Sequence, residues 1–142
     1  MSNRENELNA ALEAMYFGFR RMTLKPDEML ADLGLARVHH RILYFCGRNP
    51  RCSVNELLSV MQVSKQYLNQ PLRRLIDSGY ISAERDKSDK RVKRLELTLA
   101  GDALETALTS QQREMFANVF DEVGEGAEQH WHRVMKILVQ QI

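Results

Sequence analysis

Apolar residues recur at three- and four-residue steps through most of this chain, and at a period of two in one place. Over 5–22 a helical stripe runs through Leu8, Leu12, Met15, Phe19 and Met22, and Tyr16 and Phe17 widen it beyond what one core needs. Lys25-Pro26-Asp27 breaks that pattern and leaves a short piece, 28–33, with Asp27 as its cap. Gly34 separates it from a helix over 35–47 that buries Val38, Ile42, Phe45 and Cys46. Asn49-Pro50 ends this helix, because the residue before proline is pushed out of helical geometry.

After an extended step at Cys52, Ser53-Val54-Asn55-Glu56 has capping-box spacing and opens a helix over 54–61, with Leu57, Leu58 and Met61 inward. Gln62-Val63 leaves room only for a tight turn before a second helix, 64–79, whose ends are marked by Ser64 and Gly79. Leu68, Leu72, Leu75 and Ile76 share one face of it. Gln66, Gln70, Arg73 and Asp77 point the opposite way, with Lys65, Asn69 and Arg74 on the flanks. Two short helices joined in this way form a helix-turn-helix signature. Amides and guanidinium groups pair bidentately with adenine and guanine edges, although an ordinary solvated face is polar too. Pro71 removes a hydrogen bond to the Tyr67 carbonyl, so a kink or an irregular first turn is expected.

The period then shortens to two over 80–85 and 92–97, two strands around a charged tip at 86–91. Thr98 caps a helix over 99–123 carrying Ala103, Leu104, Ala107, Leu108, Met115, Val119 and Phe120. Gly124-Glu125-Gly126 breaks it, and 127–142 resumes with Trp131, Val134, Met135, Leu138 and Ile142.

With 142 residues, 44% apolar and 27% charged, the chain reads as one globular domain. The polar start lacks the regions of a secretory signal, and the apolar run at 42–46 is too short to span a bilayer, so a cytoplasmic protein without membrane association is expected. Net charge is only +1, yet its distribution is lopsided: 37–94 holds 13 Lys/Arg against 5 Asp/Glu, and the remainder 7 against 14. A basic centre between acidic flanks suits phosphate binding, which responds to the local field. Within it, 84–94 carries six Lys/Arg against three Asp/Glu. A basic hairpin directly after a helix-turn-helix is the wing of a winged helix.

At this point the chain resembles the MarR family of winged-helix transcriptional regulators. The carrier is 89–101, DKRVKRLELTLAG: an Asp, one residue, an Arg, five residues, Leu-Thr and a nearby Gly. Leu75 followed by Ser78-Gly79-Tyr80-Ile81 matches the family's recognition-helix exit, and the order of elements agrees over essentially the whole chain. The resemblance implies a mainly α fold: a winged helix-turn-helix lobe at 35–98 with a small β-hairpin wing, and a helical dimerisation region formed by 5–34 and 99–142 of a single domain, 1–142. It implies a homodimer on a pseudo-palindromic operator in double-stranded DNA, acting as a repressor that responds to a small-molecule effector. Gln66, Asn69, Gln70 and Arg73 then face the major groove, and Ser53, Ser64, Lys65 and Arg74 the backbone. Arg91 enters the minor groove, oriented by Asp89, with Arg85, Lys87 and Lys90 beside it in the wing. The effector is expected near Tyr16, Phe17, Phe19, His39 and Trp131, and the dimer interface at Leu8, Leu12, Met15, Trp131, Leu138 and Ile142.

Other chemistry is poorly supported. No Gly-rich phosphate loop, Ser/His/Asp order or paired-carboxylate motif stands out, so neither a catalytic residue nor a cofactor is expected. His39 and His40 are adjacent and His130 and His132 flank Trp131, which suits hydrogen-bonded or solvated side chains better than metal ligands. Cys46 and Cys52 lack a CxxC pattern and read as buried, inert thiols. The alternatives are a winged helix used as a protein-interaction module and a metal- or redox-responsive regulator.

Overall fold

The computed structural model describes residues 1–140; Ile142, expected at the dimer interface, lies outside them. Their order is α1 (Asn3–Asp32), α2 (Arg37–Arg48), β1 (Cys52–Ser53), α3 (Val54–Met61), α4 (Lys65–Asp77), β2 (Ile81–Arg85), β3 (Lys93–Leu97), α5 (Leu99–Val123) and α6 (Glu125–Val139). The fold is mainly α, a winged helix with long terminal helices.

Pro26 does not break the first helix. α1 runs through it without interruption for 30 residues, about 45 Å of helix. A proline at 26 deprives the Met22 carbonyl of its usual donor. That vacancy is filled from α5, where the Gln112 amide nitrogen donates to the Met22 carbonyl at 3.3 Å. Pro26 itself is fully buried, which favours keeping the ring inside. Asp27 is accordingly no cap: its carboxylate takes two donors of Arg37 in α2, the shorter at 2.8 Å. The helix stops instead at Gly34, whose φ of +70° lets the Gly34 and Leu35 amides close on the Ala31 and Leu30 carbonyls.

The sheet has the order β1-β3-β2, all antiparallel, with Cys52 opposite Leu95 and Ala83 opposite Leu95 on the other side. Thr98 closes the sheet and starts α5: its hydroxyl accepts from the Gly101 amide at 3.1 Å and donates to the Gly79 carbonyl at 2.6 Å. Here α5 comes so close to the residue before β2 that a Cβ on Gly101 would lie 1.9 Å from the Tyr80 carbonyl oxygen. Only glycine fits.

The break expected at 124–126 is narrower than its two glycines imply. Gly124 alone (φ +91°) separates α5 from α6, and Gly126 is helical.

Leu30, Leu35, Ile42, Leu43, Cys46, Cys52, Leu57, Leu68, Leu72, Leu75, Ile81, Leu95 and Leu108 form one buried cluster. It draws on every element except α6, and from α5 and α1 only on the parts next to the lobe.

Candidate nucleic-acid interface

The Ser53 hydroxyl accepts from the Glu56 amide at 3.0 Å and the Glu56 carboxylate reaches back to Ser53, which starts α3 with a full capping box. Gln62 then takes a left-handed conformation (φ +56°), turning the chain in two residues. The Ser64 hydroxyl accepts from the Tyr67 amide at 3.1 Å and starts α4. As the acceptor in its cap, the Ser64 hydroxyl retains its O–H as a donor. At the far end Gly79 (φ +82°) lets Tyr80 bond back to the Leu75 carbonyl at 2.9 Å, the 6→1 bond of a Schellman motif.

The first turn of α4 is regular and the helix continues through Pro71, contrary to the irregular start that the proline suggested. A mid-helix proline costs about 3 kcal/mol. Burying Leu68, Leu72 and Leu75 contributes about 1.5–3 kcal/mol each, which outweighs it. Gln66, Asn69, Gln70 and Arg73 are therefore presented, all exposed, from one continuous helix. Tyr67 is exposed beside them, an aromatic ring on the outer face that its apolar character had hidden. Lys65 is exposed at the first turn. Arg74 turns aside: its Nε donates to Ser78 at 3.2 Å, and its guanidinium approaches Gly34.

In the wing, Asp89 accepts the Arg91 backbone amide at 3.1 Å and two guanidinium donors at 3.1 and 3.2 Å. The Arg91 side chain remains 90% exposed. The arginine's hydrogen bonds hold the Asp89 carboxyl below its usual range. Arg85 donates to the Lys90 carbonyl at 3.3 Å across the tip, and Lys87 and Lys90 are exposed. Asp86 and Arg94 take a larger part than counting charges revealed. Asp86 caps the tip by accepting from the Ser88 and Asp89 amides at 3.1 and 2.9 Å, and Arg94 bridges Asp86 to Glu56.

The residues expected around an effector are not gathered within one chain. Tyr16 and Phe17 touch edge to face on the exposed part of α1. Phe19 lies under the Arg37 and Arg41 guanidinium groups, 5.0 and 5.9 Å from its ring centre. His39 accepts from the Ala36 amide at 2.9 Å, and burial lowers its pKa. Trp131 belongs to another cluster, with Phe116, Phe120 and His132. Leu8, Leu12, Met15, Trp131 and Leu138 are all exposed.

A buried polar chain between α2 and α5 had no sequence signal. His40 Nε2 lies 3.1 Å from the Thr109 hydroxyl, which donates to Glu105, and Glu105 accepts from Arg48 at 3.0 Å. Because Thr109 spends its proton on Glu105, His40 Nε2 is the donor in that pair. Cys46 and Cys52 are both buried, and burial pushes the Cys46 thiol up to about 12, far from the reactive thiolate. Among the described residues, no three His, Cys, Asp or Glu side chains converge to hold a metal, and no helix is long and apolar enough to cross a membrane.

Comparison with known proteins agrees with this geometry. Residues 33–92 match the MarR family model. The chain is 35% identical over 135 residues to the HTH-type transcriptional regulator PetP of Rhodobacter capsulatus, covering 95% of this chain and 81% of that one. It is 33% identical over 64 residues to the HTH-type transcriptional regulator BilQ of Clostridium symbiosum, covering 43% and 44% of the two chains. Among solved structures, Streptococcus pneumoniae FabT in complex with DNA superposes with a TM-score of 0.81 over 96% of this chain and 95% of that one, at 17% identity. The chain belongs to the MarR family of transcriptional regulators.

Proposed function

We propose that this protein binds double-stranded DNA sequence-specifically as a homodimer and represses transcription until a small-molecule effector releases it. The observation that carries the reading is the pairing of two surfaces: the continuous outer face of α4, and an exposed Arg91 held out by Asp89. Gln66, Asn69, Gln70 and Arg73 read base edges in the major groove. Ser53, Ser64 and Lys65 hold the backbone, and Arg91 enters the minor groove, with Arg85, Lys87 and Lys90 adding charge. Arg74, already engaged by Ser78, contributes through its charge. DNA binding by FabT, a structural neighbour, supports the same reading.

The lobe at 35–98 serves as the reader. The segments 5–34 and 99–142 bring two readers together through Leu8, Leu12, Met15, Trp131 and Leu138, so the operator shares the dimer's two-fold symmetry. The effector sits where a second chain would complete the surroundings of Tyr16, Phe17, Phe19, His39 and Trp131, and releases DNA only if it prefers the DNA-incompetent spacing.

Enrichment from a random-sequence duplex library tests the reading directly. A palindromic site should emerge, Gln70→Ala should cost about 1–3 kcal/mol on it, and Arg91→Ala should lower the magnitude of the salt slope by about one per subunit. Failure to enrich any duplex refutes the proposal.

A further inference from the structure

The wing is joined to the helix-turn-helix by more than the chain. The Arg94 side chain, three-quarters covered, reaches acceptors on three segments. Its Nε donates to Asp86 at 3.1 Å, and one terminal nitrogen donates to Glu56 at 3.0 Å and to the Arg51 carbonyl at 3.4 Å. The second Asp86 oxygen takes the Ser88 and Asp89 amides, and Asp89 in turn holds Arg91. At the other end, the Ser53 capping box fixes Glu56 to the first turn of α3. A chain of hydrogen bonds, most of them charge-assisted, therefore runs from the start of α3 to the wing tip.

β1 pairs with β3 only at Leu95 and Arg94; beyond Arg94 the wing is two-stranded, and such a ribbon is marginal by itself. Two carboxylates within a lobe proposed to bind phosphate lower its positive field. Their placement makes sense if they brace the ribbon. We infer that Arg94 is a positioning residue: it sets the angle of the wing to α4, with Glu56 as its anchor, so that Arg91 meets DNA from a preset pose. This rests on the duplex-binding reading above.

The test uses the duplex that the wild-type protein enriches from a random-sequence library. Glu56→Gln preserves the capping box, which accepts Glu or Gln, and removes one negative charge. Charge alone predicts tighter binding. Loss of positioning predicts binding weaker by roughly two- to fivefold, the scale of one exposed ion pair. Arg94→Met keeps much of the apolar stem and should weaken binding in the wild-type background, yet add nothing once Arg91→Ala is present. Unchanged or tighter binding by Glu56→Gln overturns the inference. So does additivity of Arg94→Met with Arg91→Ala, which would make Arg94 a direct phosphate contact. Circular dichroism identifies an Arg94→Met protein that has not folded, and Glu56→Gln then decides alone. If the wild-type protein enriches no duplex, the DNA-binding reading falls, and the role of Arg94 with it.

Discussion

The centre and the ends of this chain are built on opposite terms. Among the described residues, those that are buried all lie between Thr23 and Thr109. The first 20 residues of α1 and the whole of α6 contribute none, although they carry Leu8, Leu12, Met15, Phe17, Trp131 and Leu138. The centre closes on itself, with capped helices, a covered sheet and internally paired charges. The ends expose large apolar side chains that water disfavours, each worth about 1.5–3 kcal/mol when fully buried. A helix that is stable locally and apolar outside is half of something, and a second copy is the partner we propose for it.

The comparison breaks most easily at the core. Leu75→Ala should lower unfolding free energy by about 2–5 kcal/mol in urea titration, at any protein concentration. Leu12→Asp should instead leave the lobe folded and lower the light-scattering mass at micromolar concentration. If Leu12→Asp unfolds the chain outright, the lobe is not self-sufficient. Gly101→Ala comes next, because its methyl would collide with backbone and not with a yielding side chain. Such overpacking should cost about 1–3 kcal/mol, read as a lower melting temperature.

Gln112→Ala tests the boundary between the two regions. It orphans the Met22 carbonyl and should cost about 1 kcal/mol, with faster amide exchange in α1 near Pro26 as its local mark.

The smallest effect concerns pH. Burial lowers the pKa of His40, which faces Glu105, Asp27 and Arg41, and burial also lowers that of His39. The unfolded chain therefore takes up protons first, so stability is full above about pH 6.5 and declines as pH falls through the folded pKa values. Melting temperatures across that window should show the decline, and His40→Gln should flatten part of it. A slope unchanged in His40→Gln would exclude His40 as a source.

Much of the centre was legible because its signals are local. Ser53, Ser64, Gly79 and Thr98 each act within a few residues, and the period-two strands adjoin the turn they make. What was hidden depends on distant partners. Pro26 reads as a breaker until a donor 90 residues from Met22 is known. Pro71 reads as a defect until the buried leucines beneath it are weighed. Arg94 counts as one more cation until Asp86 and Glu56 are seen on either side of it. The surroundings of Tyr16, Phe19 and Trp131 are apart in a single chain, so local patterns could name those residues without showing how they meet.

The bond between Gln112 and the helix interrupted at Pro26 also orders the routes by which this chain can change. With Pro26 in place, losing Gln112 strands a carbonyl, so that step is penalised. If Pro26 is replaced first, the new residue brings its own amide to Met22, and Gln112 becomes free to vary. Two positions on different helices are thus bound into one inheritance, in which the order of substitution decides whether a lineage can pass.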